Sequence, residues 1–128
     1  MGGSYRRFYC RIDFDKTCVE NAMNRISYSV IVTILYEVKA LEWLTWLKND
    51  HINDVLEGGA TSATIIKRDP ENETSSGVTY EVRYEFDNRD IFKSYLEIYA
   101  PRLRQEGLER FPSEDGFQYR RIIGEILE

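Results

Sequence analysis

From Thr79 to Phe86 the chain alternates without a break. Tyr80, Val82, Tyr84 and Phe86 fall on one side, and Thr79, Glu81, Arg83 and Glu85 on the other. A period of two over such a run is a β-strand with one face on a core and the other toward polar surroundings. Both edges of that strand need backbone partners, while only one of its faces needs an apolar layer. The rest of the sequence has to supply both.

The strand partners are legible. Ser27 to Tyr36 is rich in β-branched and aromatic residues, and Tyr28, Val30, Val32, Ile34 and Tyr36 are uniformly apolar. Its odd positions, Ser29, Ile31, Thr33 and Leu35, are mixed, which predicts a central strand with its second face partly covered. Ala60 to Arg68 reads as another strand, and Asp69 to Gly77, with Pro70, Asn72, Ser75, Ser76 and Gly77, as the turn of a hairpin. Phe117 to Leu127 reads as the last strand.

The apolar layer comes from two helical stretches. Between residues 38 and 57, Ala40, Leu41, Trp43, Leu44, Leu47, His51, Ile52 and Val55 fall on one arc at helical spacing, and Gly58-Gly59 supplies a stop. Asp87 or Asn88 can cap the second helix, where Phe92, Tyr95, Leu96 and Tyr99 recur on one stripe. Pro101 lacks an N–H, so the helix kinks or restarts there and runs on to about Arg110.

Strand, helix, two strands, helix, strand is the split β-α-β order of an α+β, ferredoxin-like domain. Right-handed crossovers place both helices on one face of a four-stranded antiparallel sheet and leave the opposite face open. The sequence predicts one such domain over residues 23–128. Residues 1–22, with Cys10 and Cys18, read as a weakly attached extension or an extra edge strand. The open face predicts a homodimer formed through it.

Composition narrows function by exclusion. A chain of 128 residues is long enough for one core, and its net charge of −5 argues against nucleic acid as a partner. No run is long and apolar enough for a membrane helix, no apolar signal core follows Met1, and a cytoplasmic setting is expected. Two cysteines and one histidine cannot build a four-ligand zinc site of the usual kind. There is no glycine-rich phosphate loop and no serine elbow, so no cofactor is expected.

A few side chains stand out. His51 is the single group whose ordinary titration lies near neutrality, and it is the candidate acid/base, weighed against a structural histidine of the core. Trp46 falls off the apolar arc and is a candidate contact residue. Glu81 and Arg83 become candidate ligand contacts if the open face pairs with a second copy around a polar cavity. Arg102, in a local group with Arg104, Arg120 and Arg121, joins them. The tyrosines have core spacing by default, and an aromatic pocket is the alternative.

The segments Trp43 to Gly59 (WLTWLKNDHINDVLEGG) and Tyr99 to Phe111 (YAPRLRQEGLERF) resemble an uncharacterised bacterial family known as domain of unknown function 4286. The resemblance runs from about Ser27 to Leu127. That family usually has a proline after its His-Ile pair, where this chain has Asn53, and a longer acidic linker after the position of Tyr36. The resemblance implies a fold like the dimeric α/β barrels and no established activity. Two functions are therefore expected in parallel: a homodimeric ligand-binding or interaction domain, or a cofactor-independent enzyme acting on a small organic molecule through His51.

Overall fold

A computed structural model of the chain describes residues 23–70 and 77–127. The expectations for residues 1–22, including the state of Cys10 and Cys18, and for most of the turn at 69–77 lie outside those residues.

Four strands form one antiparallel sheet: β1 (Ile26–Ile34), β2 (Ala60–Lys67), β3 (Val78–Phe86) and β4 (Phe117–Glu125), in the order β2-β3-β1-β4. In register, Tyr28 faces Tyr84, Val30 faces Val82 and Val32 faces Tyr80, so the apolar sides of β1 and β3 make one continuous floor. β1 stops at Ile34, short of the Tyr36 expected from its pattern. Leu35 and Tyr36 instead turn the chain into the first helix, and the Leu35 N–H is bonded to Gly116 O.

The helical layer covers that floor. The first helical stretch runs from α1 (Glu37–Trp46) through a π-turn (Leu47–His51) into α2 (Ile52–Glu57). Asn88 rather than Asp87 caps α3 (Arg89–Ile98), its side chain accepting from the Ile91 N–H at 2.9 Å. At Tyr99 the helix breaks, and α4 (Ala100–Arg110) restarts with Pro101 in its first turn, where a missing N–H costs nothing. A short 3-10 turn (Ser113–Asp115) leads into β4.

Aromatic rings tie the layers together. Phe92 of α3 lies 5.3 Å from Tyr28 and 5.0 Å from Phe86, and Trp43 of α1 lies 5.6 Å from Tyr80. Such tilted pairs add about 1 kcal/mol each beyond the area they bury. The arc expected for the first helix needs one correction, because Leu41 is 65% exposed. At the end of α2, Gly59 takes φ +129, which the reversal into β2 requires.

No described helix lies over the other face of the sheet. Ser27, Ser29, Ile31 and Thr33 of β1 lie there, beside Thr79, Glu81, Arg83 and Glu85 of β3. No described helix is long and apolar enough to cross a membrane.

Candidate functional site

The π-turn decides which side chains meet. Five residues apart on a regular helix, Trp46 and His51 would point about 140° away from each other. Here the Ile52 N–H bonds to Leu47 O, five residues back, and the widened turn brings the two rings into a stack 4.6 Å apart at 25°. The tryptophan also packs at 5.3 Å on Phe111. Trp46 is thus half-buried on the core side rather than lying on an exposed polar face.

Behind this pair lies a cavity of about 150 Å³ between the sheet and the helices. Tyr28, Val82 and Tyr84 floor it, Trp43, Trp46 and His51 wall one side, and Tyr95 and Leu103 the other. Among its lining residues, Arg104 and Leu108 of α4 and Arg121 of β4 are exposed, so the mouth opens between α4 and β4. Gly107 also lines the space. A Cβ built on it would meet nothing nearer than the Trp46 ring at 3.5 Å, so packing does not demand glycine there.

Polar groups in the cavity are few. Arg121 Nε donates to the Tyr28 hydroxyl at 3.2 Å. Tyr119 donates its hydroxyl to Phe111 O at 2.8 Å, fastening the end of α4 to the edge strand. Burial pushes the Tyr119 hydroxyl up to about 12, although Arg121 acts against the shift, and burial raises Tyr84 and Tyr95 further. All three remain protonated donors at any physiological pH.

Burial lowers His51 from its ordinary 6.5 to about 4, outweighing the Asp54 carboxylate, which raises it, while the Arg121 charge lowers it further. The imidazole is therefore neutral near pH 7. Its Nδ1 is shut off from solvent and has no hydrogen-bond partner among the described residues. A neutral imidazole on the wall of an apolar hollow can accept one proton.

The sequence-predicted candidates separate into three places. His51 and Trp46 come together in this cavity, while Glu81, Arg83 and Arg102 lie elsewhere. Glu81, only 13% exposed, accepts from Ser29 Oγ and Arg83 Nη2, each at 3.0 Å, and lies 3.7 Å from Arg68 on the open face. Arg102 pairs with Glu106 one turn along the outside of α4. The open face has a polar hollow of its own, lined by Ile31, Thr33, Arg68, Thr79 and Arg120 and not by Glu81 or Arg83, whereas the cavity on the helix side is apolar. Sequence reasoning passed over Arg121 and Tyr119 as site residues. The available signal was the alternation of Phe117, Tyr119 and Arg121, which places an arginine on the side of β4 that faces the core. Among the described residues no group of three or more His, Cys, Asp or Glu could hold a metal.

Comparison with known proteins is consistent with this architecture. A dimeric ferredoxin-like protein from an uncultured marine organism superposes with a TM-score of 0.64 at 7% identity, over 82% of this chain and 97% of that one. An ethyl tert-butyl ether d (EthD) family protein from Bacillus halodurans gives 0.56 at 10% identity, over 79% and 99%. SnoaB, a cofactor-independent oxygenase from Streptomyces nogalater, gives 0.52 at 9% identity, over 82% and 95%. At such identities the likeness is one of fold. No curated protein matches the chain. Residues 25–124 match the family described as "Domain of unknown function (DUF4286)", and the chain belongs to that family.

Proposed function

We propose that the chain is a cytoplasmic, homodimeric domain that binds a small organic molecule in the cavity between its helices and its sheet. The carrying observation is the cavity itself, an apolar hollow held open beside a helix-interior glycine, Gly107, that packing does not require. Glycine inside a helix costs about 1 kcal/mol relative to alanine, and here the cost keeps space free. A small apolar molecule entering such a hollow regains the contacts its lining atoms lack. Benzyl alcohol, a neutral ring of suitable size, tests the reading by NMR titration. It should shift the Trp43 and Trp46 indole signals, and Gly107→Leu should abolish those shifts while leaving the circular dichroism unchanged. Benzyl alcohol shifts that are absent from the wild type, or that persist in the variant, would defeat the reading.

A second reading, proton transfer by His51, is favoured by its neutral imidazole on the wall of the cavity. Cyclohexanone is a cyclic probe with exchangeable α-hydrogens. In deuterated water the protein should accelerate that exchange, with a carbon-bound proton passing to His51 and a deuteron returning. His51→Gln should lose the acceleration while leaving the circular dichroism unchanged. Equal exchange rates in the two proteins would dismiss the catalytic reading.

A further inference from the structure

The cavity's mouth is charged in a way that binding a neutral ring does not use. Arginines over much of the described surface are answered by acids: Arg25 by Glu85, Arg68 and Arg83 by Glu81, Arg102 by Glu106. Arg104 and Arg121 stand together at the opening, and no carboxylate among the described residues pairs with either. Two like charges at one opening repel, and an anion placed between them relieves that repulsion.

Arg121 is built for such a contact. It lies opposite Val30 in the register, so it projects to the helix side of an edge strand. Its Nε is used on the Tyr28 hydroxyl. As acceptor in that bond, Tyr28 keeps its own proton to donate, and the two Nη groups of Arg121 remain as a fork that matches a carboxylate. Donors from two strands thus converge at one end of an apolar space.

The space sets the remainder of the ligand. A cavity of about 150 Å³ lined by apolar side chains accommodates benzene in an engineered protein, so one six-membered ring fits here. The stacked Trp46 and His51 rings line one side of the cavity.

We propose that the cavity selects a monocyclic carboxylic acid of benzoate size, its carboxylate held by Arg121 and Tyr28 with Arg104 alongside and its ring lying against Trp46 and His51. This rests on the ligand-binding reading above and narrows it to one chemical class.

The test is an NMR titration of the full chain with benzoate and the neutral benzyl alcohol. Benzoate should bind at least about tenfold more tightly than benzyl alcohol. Arg121→Gln should bring benzoate and benzyl alcohol to within about twofold of each other without weakening benzyl alcohol. Arg121→Lys, which keeps the charge and loses the fork, should fall between, and Arg102→Gln should behave as the wild type. If benzyl alcohol binds as well as benzoate, and Gly107→Leu abolishes both, the cavity binds small molecules and the acid class is wrong. Benzoate binding that survives Gly107→Leu would place the anion elsewhere on the surface and overturn the proposal. If no probe binds, this proposal and the ligand-binding reading beneath it fall together.

Discussion

At the scale of single residues, the placement of His51 has a consequence for stability that can be measured. Its folded-state value of about 4 lies below the ordinary 6.5, so between those limits the unfolded chain binds a proton that the folded one refuses. Stability then rises with pH across the window, and acidifying from pH 6.5 to 4 costs the fold roughly 2 kcal/mol once partial solvent access is allowed for. His51→Gln removes this dependence. Urea unfolding at pH 7 and pH 4 should show the wild type losing roughly 2 kcal/mol more than the variant, with the acidic residues common to both cancelling in the comparison. Equal losses would mean that the imidazole is free to charge in the folded state. His51 was visible in the sequence because it is the single imidazole in the chain. Arg121 was not singled out, because an arginine facing inward on an edge strand reads like any surface arginine until the cavity beneath it is known.

At the scale of elements, two helix-associated glycines of opposite character test the packing between layers. A Cβ on Gly58, at the end of α2, would come within 2.8 Å of the Tyr95 ring and 2.9 Å of the Tyr99 ring. Gly58→Ala should therefore destabilise by about 1–3 kcal/mol, since both rings sit in a packed layer and must shift. Gly107→Ala meets only the Trp46 ring at ordinary contact distance. It should gain up to about 1 kcal/mol from helix propensity while weakening benzyl alcohol binding, so that stability and ligand binding move in opposite directions. Chemical denaturation of both variants reads the pair, and a Gly58→Ala protein as stable as the wild type would show that the two tyrosines yield freely. Element order and type could be read from periodicity because the apolar faces of β3 and α3 repeat cleanly, and Pro101 marked the restart of the helix. The π-turn could not. A helical wheel assumes a constant angle per residue, and one widened turn moved Trp46 from the polar side of that wheel onto the cavity.

At the scale of the whole molecule, the open sheet face raises the question of what lies against it. Ile31 is only 6% exposed although no described helix covers it, and its cross-strand neighbours are Glu81 and Arg120. Ile122, opposite Ser29 on β4, is 46% exposed on the same face. Apolar centres flanked by charges of both signs suit a two-fold interface, in which each copy's acids can meet the other's bases. The chain should therefore elute as a dimer, with its mass fixed by light scattering at micromolar concentration. Ile122→Asp places a charge where the two faces would meet and costs an isolated subunit little, because the side chain is half in solvent. It should yield a folded monomer that still binds benzyl alcohol, since the cavity lies on the opposite side of the sheet. A wild-type chain that is already monomeric would remove the dimer from the proposal, and a dimer indifferent to Ile122→Asp would move the interface off this face. Either result would leave the helix-side cavity standing, because every residue that lines it comes from one subunit.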